Sequence, residues 1–508
     1  MFKKTVIVLY LLFMITSAFL SIPAHDLHPD EDHYWVWAQN LDLSYYDNAP
    51  MVAYVVRIFT AIFGKNQIAM RLPAWLGYCF IIGLAYFFGK RVFGNQRTGI
   101  IAAILVAAVP IYQGAMLITS DVTNVLFSAL TIVFAYFAIE ENRKLSWLWA
   151  GIFFGLAIMS KYQAVLIGGS IFLMLLFRKD KRHFLKSPFP YMAALVSASI
   201  FTPVLVWNYQ RHWLSFRFQL EHGLGSHTSF QISHFLNFLA SQALAFSPLV
   251  FMTLLYFLGK FCRHERLRTS PNNFLLFSSL PVLLFFASTS LKSKVDLQWT
   301  IIAIFPAVIF IAGQIGNSFQ LADRLHKKRW FGYFGSTVFI SILFISFVHY
   351  PEFYMEKLHL SLKPKAIITN RVYGWSEMGK YTDSILRRNF SSKQVPIFVP
   401  SYQIGGVVSY YTKNKQIAVL AAPLVRRNQF DEYTLKRIMK FDGREGLLIS
   451  KSYPIQSELF PRFFTSSKLV GVYRRIRFKN ILDSYYFYKV TGIHGREIIS
   501  GIEPKPLF

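Results

Sequence analysis

Long apolar segments alternate with short charged loops from Lys4 to about Tyr350. The segments are roughly 17 to 22 residues long, which is the length that an α-helix needs to cross the hydrocarbon core of a bilayer. The pattern predicts eleven membrane spans, within one or two, at residues 4–23, 73–90, 98–117, 122–140, 146–160, 163–178, 189–207, 236–260, 272–291, 299–318 and 331–350. We interpret the first segment as a span and not as a signal peptide, because no small-residue cleavage site follows it.

Two regions have a different pattern. Residues 49–63 are amphipathic and are expected to lie at the membrane interface. Beyond Pro351 the sequence is typical of a mixed α/β domain, with a helix and three strands predicted at residues 376–389, 395–400, 446–450 and 469–476. The predicted domains are therefore a transmembrane domain, residues 1–350, with a long first outer loop, residues 24–72, and an outer domain, residues 351–508.

The charge distribution predicts the orientation. The chain of 508 residues carries 54 Lys and Arg against 26 Asp and Glu, and no aromatic-basic module supports nucleic acid as the partner. If the N-terminus is cytoplasmic, the inner loops carry more than twice as many basic residues as the longer outer loops, which fits the positive-inside rule and contact with membrane lipids. The first outer loop and residues 351–508 then lie outside, in the periplasm if the membrane is a bacterial inner membrane. Cys79 and Cys262 indicate neither a disulfide framework nor a thiolate metal site.

Candidate chemistry is concentrated on the outer face. Asp30, Glu31 and Asp32 are followed at once by Tyr34 and Trp35. Acids among large aromatic side chains indicate a half-buried site where a carboxylate can act as a base.

Two further charged residues lie at the outer ends of predicted spans. Asp121 is either a helix-capping acid or part of the site. Lys161 is either a snorkelling lysine or a cation for an anionic ligand such as a phosphate. Arg217 and His222 follow in the next outer segment, where a histidine close to outer carboxylates is a plausible metal ligand. Together these residues predict an outward-facing, acid-lined cavity that suits an amphiphilic substrate with an anionic head.

Eight short motifs occur in order over about residues 25–435. They are Asp30-Glu31-Asp32-His33-Tyr34-Trp35, Tyr45-Tyr46-Asp47-Asn48-Ala49-Pro50, Arg71-Leu72-Pro73, Thr119-Ser120-Asp121, Ser160-Lys161-Tyr162, residues 207–223, Lys294-Val295-Asp296-Leu297-Gln298-Trp299 and Arg426-Arg427-Asn428-Gln429-Phe430-Asp431. In this order the chain resembles the GT-C glycosyltransferases of the bacterial protein-mannosyltransferase (family 39) and aminoarabinose-transferase type. It departs from their pattern at His33, Asn48, Ala49 and Ser120, which puts the donor sugar or the acceptor contact in doubt.

The resemblance implies a GT-C fold with about 11–13 transmembrane helices. It implies transfer of a sugar from a polyprenyl-phosphate donor, such as an undecaprenyl phosphate, to an envelope acceptor on the periplasmic face, with Asp-assisted inversion. The acceptor is lipid A, another glycan or a lipid, and less readily a protein; the sugar is not specified.

The resemblance also assigns roles to individual residues. Those with charged or metal-binding roles are Asp30, Glu31 and Asp121 in catalysis, Lys161, Arg217 and Lys294 at the donor phosphate, and Asp47 with His222 at a divalent metal (Zn, Mg or Mn). Those expected to contact substrate are Tyr34, Trp35, Tyr46, Asn48, Tyr162 and Asn208.

The alternative is a polytopic transporter or flippase of lipid-linked sugars. Transporters place ionisable residues near mid-membrane on broken helices. Here the acids lie in outer loops and at span ends, and no internal repeat is evident. A membrane scaffold would have no evident use for an acidic-aromatic outer loop.

Overall fold

The computed structural model describes residues 4–114, 117–224, 230–321, 324–351, 353–357, 359, 367–392, 394–413, 417–419, 428–451 and 460–502. The first part of the chain is helical. Its helices are α1 (Lys4–Ser21), α2 (Pro29–Gln39), α3 (Met51–Phe63), α4 (Gln67–Phe93), α5 (Gln96–Ala108), α6 (Pro110–Gly114), α7 (Ser120–Ile139), α8 (Lys144–Ser160), α9 (Val165–Phe177), α10 (Pro188–Gln210), α11 (Leu214–Leu224), α12 (Ile232–Phe246), α13 (Pro248–Arg263), α14 (Ser270–Thr289), α15 (Ile301–Leu321) and α16 (Arg324–His349).

Most predicted spans coincide with one apolar helix. The predicted span 98–117 does not, because α5 ends at Ala108, Val109 is extended and Pro110 begins the short helix α6. Within the described residues, six helical segments are long and apolar enough to cross a membrane, and they begin at Thr5, Gln67, Ser120, Pro188, Ser270 and Leu297. Shorter apolar helices fill most of the other predicted positions. The expected polytopic helical architecture is confirmed, and the chain is a multi-pass membrane protein.

The predicted continuous span 236–260 is wrong in one respect. It is two helices, α12 and α13, bent by 108° at their junction. Ser247 has a φ of 76°, outside the helical region, and Pro248 begins α13. Proline lacks the N–H that would continue the helix, and its ring clashes with the preceding turn, so the chain turns at this point.

Helix α15 forms the centre of the bundle. Its apolar side chains are buried on all sides, from Ile301 and Phe305 to Phe310 and Ile315. A helix that is apolar all round belongs in the interior of a bundle. It packs against α4, α5, α7, α13 and α14. The amphipathic segment predicted near residues 49–63 is α3, which buries Val52 and Val56 and exposes Ile58 and Ile62.

The C-terminal part contains a small mixed sheet. Its elements are α17 (Trp375–Asn389), β1 (Ile397–Val399), α18 (Tyr402–Tyr411), β2 (Ile417–Val419), α19 (Phe430–Leu435), β3 (Gly446–Ser450), α20 (Phe460–Phe463), β4 (Phe464–Arg477), β5 (Asn480–Ile493) and α21 (Gly495–Ile502). The strand order is β2-β1-β3-β5-β4; β1 pairs in parallel with β2 and β3, and β5 is antiparallel to β3 and β4. The mixed α/β class expected for this region is confirmed.

Helix α18 joins the sheet region to the first outer loop by packing along α2. At Gly406 a Cβ atom would lie 2.7 Å from the main-chain nitrogen of His33. Only glycine permits two backbones to approach this closely. The C-terminal region is therefore seated directly on the helix that carries Asp30.

Candidate active site

The start of α2 is fixed by a capping box. The Nδ1 atom of His28 accepts a hydrogen bond from the Asp30 N–H at 3.2 Å, and the Glu31 carboxylate accepts one from the His28 N–H at 2.8 Å. Pro29 occupies the first helical position, where a missing N–H costs nothing. These contacts hold Asp30 in the first turn of the helix, where the macrodipole favours a negative charge.

Glu31 lies behind this turn in a buried ion pair with Arg71 of α4. Its carboxylate oxygens lie 2.7–3.1 Å from the Arg71 nitrogens, and the remaining N–H groups of the guanidinium donate to carbonyls within residues 22–26. Glu31 also accepts from the N–H of Ile118 at 3.0 Å. It thus joins the start of α2 at His28, helix α4 and the segment before α7, and it does not line the cavity described below.

Asp121 and Lys161 form the second charged element. The Lys161 ammonium donates to Asp121 Oδ1 at 2.7 Å, and the two side chains are only 14–16% exposed. Asp121 is at the start of α7, whose first turn is capped by Thr119. Lys161 is the C-cap residue of α8, and its backbone is extended. An ion pair with so little solvent around it retains a strong local field.

These elements border one large cavity of about 1140 Å³. The lining residues with ionisable or amide side chains include His28, Asp30, His33, Asp47, Asn48, Asp121, Lys161, Gln163, Gln219, Asp296, Gln298 and Arg371. Its apolar lining comes in part from the membrane helices α12, α14 and α16, through Leu244, Ala245, Phe285, Phe286 and Phe344. The cavity is therefore polar at one part of its wall and hydrocarbon-like at another.

Asp30 contacts a residue of the C-terminal region. The amide Nε2 of Gln403 donates to Asp30 Oδ1 at 3.0 Å, and Asp30 Oδ2 lies 3.5 Å from His28 Nδ1. Burial lowers the pKa of His28; the positive charges of Arg371 and Arg71 lower it further, against the opposing effect of nearby carboxylates. A neutral His28 leaves its Nδ1 lone pair free to cap the helix.

The Tyr34 hydroxyl is close to this centre. Ser120, which also lines the cavity, accepts through its Oγ from Asn48 Nδ2 at 3.1 Å. Burial, followed by the charge of Asp30, raises the pKa of Tyr34. Tyr34 therefore stays a neutral hydroxyl beside the carboxylates. Tyr34 and Asn48, both predicted to contact substrate, line the cavity.

Of Tyr162 and Asn208, both predicted to contact substrate, only Tyr162 lies in the cavity wall. Tyr162 lines the cavity and hydrogen-bonds through its hydroxyl to Ser44 and Ser215 at 3.1 and 3.0 Å. Asn208 is fully buried, and its Oδ1 accepts from the Ser215 N–H at 3.1 Å. It holds the turn between α10 and α11 and is not part of the cavity lining.

Several other predicted residues lie off the cavity. Trp35 is buried beneath Lys65, whose ammonium lies 4.7 Å from the ring. The Tyr46 N–H donates to Gln429 Oε1 at 2.8 Å. Arg217 and Lys294 are exposed and are not among the lining residues. Arg426 and Arg427 of the last motif lie outside the described residues.

The predicted metal pair of Asp47 and His222 stays a prediction, because only Asp47 has a described side chain. Asp47 lines the cavity, and its Oδ2 is 3.4 Å from His33 Nε2. His222 is in α11, but its side chain lies outside the described residues. Over the part of the chain that the structure describes, no group of three or more His, Cys, Asp or Glu side chains is placed to hold a metal ion.

Two lining residues and one residue in contact with Asp30 had no signal in the sequence. Arg371 and Tyr402 line the cavity, and Gln403 contacts Asp30. All three follow the last membrane helix, in a region with no recognisable motif around them. Only the packing of α18 on α2 brings two of them to the site.

Comparison with known proteins supports the resemblance. Residues 47–207 match the family model described as dolichyl-phosphate-mannose-protein mannosyltransferase. The lipid A galacturonosyltransferase RgtD of Rhizobium johnstonii is 32% identical over 161 residues, which are 31% of this chain and 34% of that protein. The match thus spans about a third of the length of the curated relative.

The fold extends the likeness to the whole chain. The structure of ArnT from Cupriavidus metallidurans in the apo state has a TM-score of 0.65 and 14% identity, covering 99% of both chains. The structure of the same protein bound to undecaprenyl phosphate has the same TM-score and identity and covers 99% of this chain and 100% of that one. The chain therefore has the fold of ArnT, and residues 47–207 are similar in sequence to the protein-mannosyltransferase family model.

Proposed function

We propose that the protein transfers a sugar from a polyprenyl-phosphate donor to a glycolipid acceptor of the lipid A type. The observation that carries this proposal is one cavity that combines Asp30, the Asp121–Lys161 ion pair and an apolar lining from membrane helices. A donor with a hydrocarbon tail and a phosphate head needs both kinds of surface. The ArnT structure with undecaprenyl phosphate and the relative named for lipid A support these substrates.

In the proposed reaction the acceptor hydroxyl attacks the anomeric carbon of the donor sugar. Asp30 orients the hydroxyl and takes its proton as the new C–O bond forms. The bond from the anomeric carbon to the phosphate oxygen breaks, and the polyprenyl phosphate leaves with the electron pair. Lys161 stabilises the charge that develops on the leaving phosphate. Attack opposite to the leaving group inverts the anomeric configuration.

The other residues support this centre. Asp121 holds the Lys161 ammonium in place, and Glu31 positions the turn that carries Asp30 through its contacts with His28 and Arg71. Tyr34, Asn48 and Tyr162 supply hydrogen-bonding groups for the substrates, as the resemblance implies. Arg217 and Lys294 lie outside the cavity lining, and their contact with the donor phosphate rests on the resemblance alone.

The positive-inside distribution supports a periplasmic site in a bacterial inner membrane, with a cytoplasmic N-terminus and an outer C-terminal domain at residues 351–508. Nucleotide sugars are absent there. A donor anchored in the bilayer would reach the apolar part of the cavity from the membrane.

The test is transfer of radiolabelled sugar from synthetic polyprenyl-phosphate donors to lipid A by the purified protein in detergent or liposomes. The wild type should label the acceptor, and Asp30→Asn should lose at least about 100-fold in rate. Glu265→Gln, at a side chain that is 90% exposed, is the matched control. Donor movement across liposomes without labelled product would instead indicate a flippase.

A further inference from the structure

Arg371 places a second cationic group in the wall of the cavity that Asp30 also lines. It belongs to the segment Ile368–Val372, beyond the last membrane helix, and it lines the cavity. Its positive charge acts on His28, which contacts Asp30. We propose that Arg371 binds an oxyanion of one substrate, a carboxylate or a phosphate ester, that is separate from the phosphate of the donor. The proposal rests on the proposed function and names a substrate class for the same site.

The segment that carries Arg371 is fixed by two buried arginines of strand β4. Arg477 Nη1 donates to the side chains of Thr369 and Asn370 at 3.0 and 3.1 Å. Arg475 Nη1 donates to the main-chain carbonyl of Asn370 at 3.2 Å. Neither arginine is more than 6% exposed. The backbone on the N-terminal side of Arg371 is thus held without using the Arg371 side chain.

The other side of the segment is tied to the first outer loop. The indole N–H of Trp375 donates to the Arg371 carbonyl at 2.7 Å, and the Trp375 main-chain N–H donates to Asp26 Oδ2 at 2.7 Å. The Arg475 guanidinium lies 3.8 Å from the centre of the Trp375 ring. Arg371 is therefore presented by a segment that is rigid on both sides, which lowers the entropy lost when a ligand binds.

The Arg371 guanidinium differs in its partners from those of Arg71 and Arg211. Within the described part of the chain it makes no ion pair and its side chain makes no hydrogen bond. Arg71, by contrast, is saturated by Glu31, and Arg211 is paired with Asp42 and Glu432. A planar guanidinium binds carboxylate or phosphate through two parallel hydrogen bonds. An unpaired guanidinium in a cavity wall is suited to such a ligand.

The leaving phosphate of the donor is assigned to a different cation. Lys161 is contributed by the end of α8 and is paired with Asp121, whereas Arg371 comes from the segment Ile368–Val372 beyond the last membrane helix and has no ion-pair partner among the described residues. The oxyanion at Arg371 has two possible sources. It is either the carboxylate of an acidic donor sugar or a phosphate ester on the glycolipid acceptor.

The experiment compares wild type, Arg371→Gln and Arg371→Lys on four substrate pairs. The donors carry either galactose or galacturonate on the same polyprenyl phosphate, and the acceptors are one glycolipid with and without its phosphate. Equilibrium binding of each compound is measured beside the transfer rates. Arg388→Gln is the control, because Arg388 is an exposed arginine of α17 outside the cavity lining.

Arg371→Gln should raise KM and Kd about 10- to 100-fold for whichever substrate carries the second anion, as expected for loss of a charge-assisted hydrogen bond. Binding of the matched neutral compound should change less than about threefold. Arg371→Lys should restore part of the affinity, since it keeps the charge but not the planar fork. If Arg371→Gln no longer prefers the charged donor over the neutral donor, the ligand of Arg371 is the sugar carboxylate. If it no longer prefers the phosphorylated acceptor over the unphosphorylated one, the ligand is the acceptor phosphate.

Equal effects on charged and neutral members of both pairs would overturn the proposal, as would an equal effect of Arg388→Gln. If the wild type transfers no sugar in any combination, the proposed function fails. The binding measurements then still decide whether Arg371 discriminates charged from neutral compounds. Thermal unfolding of each variant shows whether it is folded.

Discussion

Lys161 Nζ lies 2.7 Å from Asp121 Oδ1, and this ion pair connects the end of α8 to the start of α7 at the edge of the cavity. Neither side chain is fully buried, so the pair can exchange a partner with a ligand while it remains partly shielded from water. A lysine held in this way has its charge near the position proposed for the donor phosphate. The geometry makes the two residues one functional unit.

We expect Lys161→Met to lower kcat/KM for the donor about 100- to 1000-fold, because the leaving phosphate loses its counter-charge. Asp121→Asn should lower it about 10- to 100-fold, because the ammonium is no longer held. The double variant should lose less than the sum of the two free-energy changes, since contacting residues couple. A double-mutant cycle of transfer rates measures this, and strictly additive losses would contradict the paired role.

Gln403→Ala should lower kcat about 10-fold and leave KM for the donor almost unchanged. The lost hydrogen bond to Asp30 Oδ1 positions the carboxylate and does not bind the donor. Gln403→Glu should be more harmful, because a second carboxylate would repel Asp30. Gln394→Ala, at an exposed glutamine of the same region, serves as control. A change confined to KM would show that Gln403 binds substrate instead.

Glu31→Gln should destabilise the fold by about 3–5 kcal/mol, because it leaves the buried Arg71 charge without a partner. The measurement is thermal unfolding in detergent, with Glu265→Gln expected to have almost no effect. A direct catalytic role for Glu31 would give a different result, in which the variant unfolds like the wild type but has lost kcat.

Asp32→Asn should make the protein more resistant to heat at pH 7.5 than the wild type. The Asp32 carboxyl is fully buried and its oxygens have no hydrogen-bond partner among the described residues. Burial, with the nearby charge of Glu31, raises its pKa well above the ordinary value. The folded protein therefore keeps a proton that the unfolded chain releases above pH of about 3.9.

The sign of the pH dependence follows from this difference. As pH rises from the unfolded pKa towards the folded pKa, the folded state loses up to about 1.4 kcal/mol per pH unit relative to the unfolded state. The advantage of Asp32→Asn should thus shrink towards zero near pH 4. Melting temperatures of both proteins from pH 4 to 8 test it, and a constant difference would show that Asp32 does not titrate in this way.

The sequence was sufficient to predict the membrane segments, because a helix in lipid must be apolar over a fixed length. It was also sufficient to nominate Asp30, Asp121 and Lys161, which the fold brings to one cavity. Asp121 and Lys161 lie at the outer ends of apolar segments, where a charge is conspicuous, and Asp30 lies in an acidic part of the first outer loop just before large aromatic residues. The bend at Ser247 was not predicted, because the residues on both sides of it are apolar and hydropathy does not distinguish two bent helices from one continuous span.

The side-chain partners could not be predicted, because they depend on long-range packing. Glu31 and Asp30 are adjacent in sequence, but one turns inward to Arg71 and the other towards the cavity. Arg371 and Gln403 reach the site only because the C-terminal region sits on α2. No local pattern distinguishes them from the many other polar residues of that region.

The seating of α18 on α2 has a consequence for how such proteins diversify. The part of the cavity wall that contains Lys161 comes much earlier in the sequence than the part that contains Arg371. Each part is held by its own contacts. Substitutions in the later segment can alter one substrate surface while the other is inherited intact. After gene duplication, a descendant could acquire a new substrate by drift in a few codons near the end of the gene, with its membrane machinery unchanged.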